Sequence, residues 1–352
     1  MGPAARAGTD RGVRAHVAGH ARAGRPGVGA RVGHRVGPPD DGAVKTLRRY
    51  AYLALAVVCL HLVFGAIVRI SGSGMGCGDN WPKCFGYWFP PLSRPDLIIE
   101  VSHRYLASIV TLAILALFVA AWRRRGEPGV GGPGGVLRMA GAAVVTVFCV
   151  AILGGVTVKL GNAPWATVAH WTLAMTLLAM LATAAIRTGA MGGAGARTQT
   201  APRSLVRSGY AAASIAFLTV AMGGLTANYP FGAVGCTTFP FCGPNPAAPM
   251  AAVHIQLMHR TLALLLGLLA VGMALRARRD DVGPVVRRAV SVVFAFVILQ
   301  VAIAAAMVLL HLPPVLRSLH EAAGVGVWLS AYTMAYLAWI AARPRAEPGT
   351  GS

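Results

Sequence analysis

Eight long apolar stretches constrain the fold of this chain more than any other feature of its sequence. Each has close to the roughly 20 residues that a helix needs to cross about 30 Å of hydrocarbon. The stretches are residues 48–69, 97–122, 137–158, 166–186, 207–226, 250–275, 288–311 and 317–341. Runs of Ala, Leu and Val do not suit barrel strands, and open strands leave backbone groups unsatisfied in lipid. The pattern predicts an all-α polytopic membrane protein with eight transmembrane helices in contact with membrane lipid.

The formal net charge of +21 does not indicate a nucleic-acid partner. A nucleic-acid surface needs basic residues gathered on one face or along one helix. Here the basic residues stand in short clusters between apolar runs, and Arg outnumbers Lys 29 to 3. We therefore expect no nucleic-acid binding.

The distribution of basic residues predicts the orientation of the helices. Lys and Arg are retained on the cytoplasmic side of a membrane. Of the 32 basic residues, 25 fall on one side of the predicted spans. Both termini are therefore expected in the cytoplasm of a multi-pass cell membrane protein, and the loops at 70–96 and 227–249 are expected outside.

The order of the spans predicts two repeats flanked by tails. Residues 1–46 form a basic tail with few large apolar side chains, typical of disorder. This tail is either a cytoplasmic extension or lies upstream of a true start at Val44 or Lys45. The predicted division is a tail at 1–46, a four-helix repeat at 47–190, a cytoplasmic linker at 191–206, a second four-helix repeat at 207–342 and a disordered tail at 343–352.

The second half of the chain resembles a copy of the first. Glu100, His103 and Arg104 match Gln256, His259 and Arg260 at an offset of 156, and His170 matches His320 at an offset of 150. Each unit has an even number of spans, so both copies run in the same direction. We expect two tandem pseudo-symmetric four-helix bundles, related by an axis along the membrane normal.

Four histidines lie in the first turns of spans that run inward from the outer face. They are His103, His170, His259 and His320. Imidazoles inside spans are costly, and facing helices of a bundle can hold porphyrin iron between two of them. The pattern predicts His103 with His170 at one iron and His259 with His320 at another. The alternatives are structural bonds to carbonyls of neighbouring helices, or zinc, for which two His make a poor tetrahedral set.

The two predicted sites differ in one ionisable group. Glu100 lies one turn before His103, whereas Gln256 occupies the matching position in the second repeat. A carboxylate can take a proton or stabilise a cation, so the first site is predicted to react and the second to carry electrons. A structural ion pair of Glu100 with an Arg is the alternative. Arg104 and Arg260 serve porphyrin propionates or anchor the helices.

Four cysteines stand in the predicted outer loops, where disulfides are permitted. We expect one bridge within each loop, Cys77 with Cys84 and Cys236 with Cys242, either structural or in exchange with a thiol-redox partner. Cys59 and Cys149 lie inside spans and are expected to be inert. His61, His254 and His311 lack the repeat relation, and we interpret them as structural or solvent-facing.

Over about residues 48–341 the chain resembles heme A synthases of the cytochrome oxidase assembly pathway. The motifs are Gly65-Ala-Ile-Val-Arg69 before the Cys77 loop, Glu100-x-x-His103-Arg104, Gly154-Gly155-Val-Thr-Val, Gly223-Gly224-Leu-Thr and the four histidines. The resemblance implies a membrane oxidoreductase that converts heme O to heme A by two hydroxylations of the C8 methyl, followed by loss of water to leave a formyl group.

The resemblance also implies a different role for each half of the chain. The first half, with His103, His170 and Glu100, would hold heme O, and the second, with His259 and His320, would hold heme b as an electron relay. Heme O synthase and an electron acceptor are the implied partners, and self-association stays open. The competing hypothesis is a di-heme b-type electron carrier that converts no substrate. A transporter is disfavoured because no span pair is visibly broken at mid-membrane.

Overall fold

A computed structural model describes residues 41–343 of the chain. The eight long helices are α1 (Asp41–Ile70), α2 (Pro95–Arg123), α3 (Val136–Lys159), α4 (Pro164–Arg187), α6 (Arg203–Asn228), α7 (Met250–Arg279), α8 (Pro284–Leu309) and α9 (Pro314–Ala341), with a short α5 (Gly193–Ala196) after α4. All eight are long and apolar enough to cross a membrane. Residues 41–343 contain no strand, only two isolated bridges. The predicted all-α class with eight spanning helices is confirmed.

The helices differ from the predicted spans mainly at their ends. Helix α1 begins at Asp41, seven residues before the predicted span, and part of the predicted linker 191–206 is helical. A helix can continue past the hydrocarbon when its polar residues find hydrogen-bond partners there. Near the start of α1, Arg48 has such a partner, since its Nη2 donates to the Thr188 carbonyl at 2.9 Å. The tails predicted as disordered lie, except for residues 41–46 and 343, outside the described residues.

Proline begins several of the helices. Pro95, Pro164, Pro284 and Pro314 stand in the first turn of α2, α4, α8 and α9. The first helical residues have no intrahelical acceptor for their N–H groups, so proline loses nothing there and its fixed φ suits the helix. The histidine-bearing helices α2, α4 and α9 thus start at defined points.

The contacts between long helices follow the order of the chain. In the first half α1 packs against α2 and α4, and α3 packs against α2 and α4. In the second half α6 packs against α7 and α9, and α8 packs against α7 and α9. Helices α1, α4, α6 and α9 form the seam between the two groups, and α4 and α9 are the most buried of all spans.

Polar contacts tie α4 to α9 at this seam. The Trp328 indole donates to the Met175 carbonyl at 3.0 Å, and the Thr183 and Tyr332 hydroxyls lie 2.6 Å apart. A buried hydrogen bond between helices in an apolar medium has no water to compete with it. Helices α7 and α8, by contrast, bury little and expose Leu264, as expected of a face in contact with lipid.

Candidate heme sites

Three of the four histidine rings pack directly on a glycine of the preceding long helix. The pairs are Gly65 with His103, Gly154 with His170 and Gly223 with His259. A Cβ added to these glycines would lie 3.2, 3.1 and 3.0 Å from Cε1 of the paired ring. Contacts this short force the ring to move, so glycine is what lets the helices approach around each imidazole.

Two of these rings are held in one tautomer by backbone carbonyls. His170 Nδ1 lies 3.0 Å from the Val150 carbonyl oxygen, and His259 Nδ1 lies 3.0 Å from that of Thr219. A carbonyl can only accept, so Nδ1 carries the proton and Nε2 keeps its lone pair. Metal-bound histidines commonly have this arrangement, because the bond to Nδ1 orients the ring and strengthens Nε2 as a ligand.

The second half places its two histidines at a distance that suits one iron. The centroids of the His259 and His320 rings lie 6.4 Å apart, with an angle of 77° between the ring planes. Two metal–imidazole bonds of about 2 Å each, together with the half-widths of the rings, span roughly 6 Å. This separation fits one metal ion held between the two imidazoles.

In the first half a fifth histidine joins the pair. The rings of His61 and His103 lie 4.2 Å apart, and Phe64 stacks on His103 at 6.3 Å. Both His61 and His103 also lie close enough to His170 for electrostatic interaction. The sequence interpretation of His61 as structural or solvent-facing does not include this contact with His103. The available signal was its place one helical turn before Gly65.

Glu100 is buried next to the first histidine, and both of its oxygens are engaged. Oε2 accepts the Cys77 N–H at 2.8 Å, and Oε1 pairs with Arg104. In the second half Gln256 accepts the Cys236 N–H in the same way. Both side chains therefore hold one of the two predicted outer loops, 70–96 and 227–249, onto its helix, and the structural ion pair considered for Glu100 is present.

The two arginines also bind the outer loops. Arg104 Nη1 donates to the Pro82 carbonyl at 2.9 Å, and Arg260 Nη1 donates to the Thr238 carbonyl at 2.7 Å. They differ at Nη2, which in Arg104 pairs with Glu100 but in Arg260 is buried with no partner among residues 41–343. An unpartnered buried guanidinium nitrogen suits an anionic ligand such as a propionate.

Both outer loops are closed by disulfides. They join Cys77 to Cys84 and Cys236 to Cys242, leaving Cys59 and Cys149 as thiols. Each loop also contains a cis proline, Pro82 in the first and Pro240 in the second. The two loops are thus built alike and cover the helix ends that carry His103 and His259.

The remaining candidates lie elsewhere. His254 and His311 are exposed. Glu321, next to His320, forms an ion pair with Arg69 at the end of α1 and so links the two halves. No group of three or more His, Cys, Asp or Glu in the described part of the chain is placed to hold a metal ion. A zinc site built from side chains alone is therefore not supported there, whereas a porphyrin brings its own four nitrogens and needs only the axial pair.

Together, fold and sites define a class: a polytopic helical membrane protein with paired histidines, suited to hold iron porphyrin near one face. Residues 48–332 match the model of a family described as cytochrome oxidase assembly protein. The chain belongs to this family, and the predicted family resemblance is confirmed.

Named relatives agree with this membership. The chain is 29% identical over 232 residues to a heme A synthase of Shouchella clausii, covering 64% of this chain and 74% of that protein. It is 25% identical over 320 residues to a heme A synthase of Geobacillus thermodenitrificans, covering 88% and 95%. A protein of Thermus thermophilus named protoheme IX farnesyltransferase is 40% identical over 84 residues, which are 23% of this chain and 14% of that protein.

We expect Gly223→Val to weaken porphyrin retention in the second half. The new side chain would start 3.0 Å from Cε1 of His259 and force the ring off its position. Overpacking of this kind costs about 1–3 kcal/mol, or roughly tenfold to a hundredfold in binding. Heme per chain in purified protein measures it. Gly272→Val on α7 is the control, since nothing lies within 4 Å of that site. Equal heme content in both variants would contradict the role of the glycine.

Proposed function

We propose that this protein is a heme A synthase that oxidises the C8 methyl of heme O to a formyl group by successive hydroxylations, with heme b as electron relay. Membership of the family and the names of its relatives support an oxidoreductase of heme A biosynthesis. The observation that carries the proposal is the inequality of the two halves. They share the paired histidines, a glycine at the first histidine of each pair and a disulfide-closed loop, but one has Glu100 where the other has Gln256.

In this proposal residues 47–190 bind the substrate and residues 207–342 bind the cofactor. His103 and His170 hold the iron of heme O, with Arg104 at the same end. His259 and His320 hold heme b, and Arg260 offers its unpartnered Nη2 to a propionate. When bound, heme b supplies one-electron transfer. The protein contributes ligation, orientation and a site largely closed to water.

Glu100 is proposed as the catalytic carboxylate. It is the one buried acidic side chain in the range 44–343, with 4% of its surface exposed. It lies one turn before His103 on the same face of α2, at the edge of the substrate site. Arg104 balances its charge, and the Cys77 N–H orients Oε2. A carboxylate so held can accept a proton or stabilise positive charge on the substrate without reorganisation.

A di-heme electron carrier is the second candidate. One observation favours it: both Glu100 oxygens already have partners within the protein, as expected of a purely structural group. The carrier would use the same four histidines but release no new porphyrin.

Product analysis separates the two candidates. The chain is co-expressed with a heme O supply, and extracted hemes are separated by chromatography and identified by mass. A synthase yields heme A and its hydroxylated precursor. A carrier returns heme O and heme b unchanged, and that result would reject the proposed reaction.

Topology and partners complete the proposal. The excess of basic residues on one side supports cytoplasmic termini in the cell membrane and outer loops facing outside. The name of one relative, protoheme IX farnesyltransferase, says that this protein transfers a farnesyl group to protoheme IX. We propose that a heme O synthase of this kind delivers the substrate and that a separate redox protein takes up the electrons.

A further inference from the structure

One position recurs three times in the structure, one helical turn before the glycine at a histidine ring, and the internal repeat gives a fourth equivalent in the sequence. In three cases that residue is Gly65, Gly154 or Gly223, and in the fourth the repeat offset of 150 from Gly154 leads to Ala304. The residues one turn earlier are His61, Val150, Thr219 and Gln300. At each of these four positions, a backbone or side-chain group of the residue lies next to the histidine ring of the neighbouring helix.

At two of the four positions the backbone carbonyl holds the ring. Val150 and Thr219 accept from Nδ1 of His170 and His259 at 3.0 Å through their carbonyls, so their side chains are not needed for the bond. Each half of the protein therefore has one histidine held by the backbone.

At Gln300 the side chain itself contacts the ring. Gln300 Nε2 lies 3.1 Å from Nδ1 and 3.2 Å from Nε2 of His320, while Gln300 Oε1 is buried with no partner among the described residues. Once His320 Nε2 binds a metal, Nδ1 carries a proton and needs an acceptor. Turning the Gln300 amide by half a rotation exchanges its two end atoms and places Oε1 near both ring nitrogens, of which only the protonated Nδ1 is then a donor.

His61 has the same relation to His103. Nδ1 of His103 and Nε2 of His61 are both buried, and neither has a partner within residues 41–343. Their rings lie only 4.2 Å apart. When His103 Nε2 is a ligand, its Nδ1 carries a proton, and the neighbouring ring of His61 has an unpartnered Nε2 that can accept it. A buried donor left without an acceptor is costly, so a rotation of the His61 ring that brings these two nitrogens within hydrogen-bond distance would satisfy both groups.

We propose that His61 and Gln300 are positioning residues that accept the Nδ1 proton of His103 and His320, and so set the donor strength of one iron ligand in each half. The proposal rests on the heme sites of the proposed function, but not on the oxidation. An acceptor on Nδ1 makes the ligand more basic and favours the oxidised metal. The side chain at this position would thereby set the redox potential of each site. The other histidine of each half is held by a backbone carbonyl in both cases.

The test in the second half is the midpoint potential of bound heme in the full chain, purified from heme-replete cells. Gln300→Val removes the acceptor and should raise the potential, whereas Gln300→Glu supplies a stronger one and should lower it below wild type. Thr219→Val is the matched control, because it keeps the carbonyl that holds His259. Its potential should not move.

Five outcomes would decide the Gln300 assignment. The order Val above Gln above Glu supports it, as does loss of heme in Gln300→Val with retention in Gln300→Glu. Equal potentials in all three proteins, a shift of both variants in one direction, or loss of heme from both would overturn it. The midpoint potential does not depend on heme A formation, so a protein that shows the predicted order but makes no product in the separate product analysis would contradict the proposed reaction alone.

The first half is tested by heme titration in a background that carries His259→Ala and His320→Ala. His61→Val, which copies the residue at position 150, should weaken heme binding by roughly tenfold or more. His61→Gln, which copies position 300, should restore it, and Val150→Ala should bind as the background does. Unchanged affinity in His61→Val, or failure of His61→Gln to restore binding, would overturn the assignment of His61.

Discussion

Replacing Glu100 with glutamine should leave the protein folded and loaded with heme but stop product formation. Glutamine can still accept the Cys77 N–H, as Gln256 accepts that of Cys236 in the second half, so the outer loop keeps its anchor. What is lost is the carboxylate. Removal of a positioned acid or base lowers rates by about 10²- to 10⁴-fold. Heme A formed per bound heme is the measurement, with heme content and thermal stability recorded on the same samples.

Gln256→Glu is the matched control for this prediction. It places a carboxylate at the equivalent position beside His259, where no substrate is proposed to bind, and should leave heme A formation close to wild type. Product formation at wild-type levels in Glu100→Gln would show that the group acts only on the loop, as the carrier hypothesis holds. Glu100→Ala is less informative, because it removes the loop contact and the charge together.

Replacing His259 with alanine should remove heme b from the protein. In the wild type this ring lies 6.4 Å from that of His320 and is held by the Thr219 carbonyl, and alanine supplies no ligand in its place. We expect loss of one heme equivalent per chain and of the corresponding absorption band, with product formation falling because the electron relay is missing. Pyridine hemochrome analysis of purified protein measures the loss.

His254→Ala is the control for this loss. His254 lies on the same helix, five residues earlier, but is exposed on the outer face of the protein. Its removal should change neither heme content nor spectrum. If His259→Ala retained a full complement of heme b, the pairing of His259 with His320 at one iron would be wrong.

The spanning helices could be predicted from the sequence because the hydrocarbon imposes a length and a composition on each of them. The positions of the four histidines near the starts of α2, α4, α7 and α9 could be predicted in the same way, since their place in each span was readable from the sequence. The matching of Glu100 with Gln256 required only the internal repeat. These features depend on local sequence or on similarity between two halves.

The contacts around each ring could not be predicted, because they join helices whose relative rotation and height depend on packing. The glycines at positions 65, 154 and 223 were visible in motifs, but their approach to the imidazoles was not. His61 carried no repeat signal because its equivalents are Val150, Thr219 and Gln300, which share no chemistry. The engagement of Glu100 with Cys77 likewise depends on how an irregular loop folds back on α2.

The central claim is that matched imidazoles hold porphyrin iron in each half, and the absorption spectrum of the purified protein tests it most directly. The full chain, extracted in detergent from heme-replete cells, should show a Soret band. A variant with all four of His103, His170, His259 and His320 changed to alanine should be colourless while keeping its helical content. A wild-type protein without a Soret band would contradict the account.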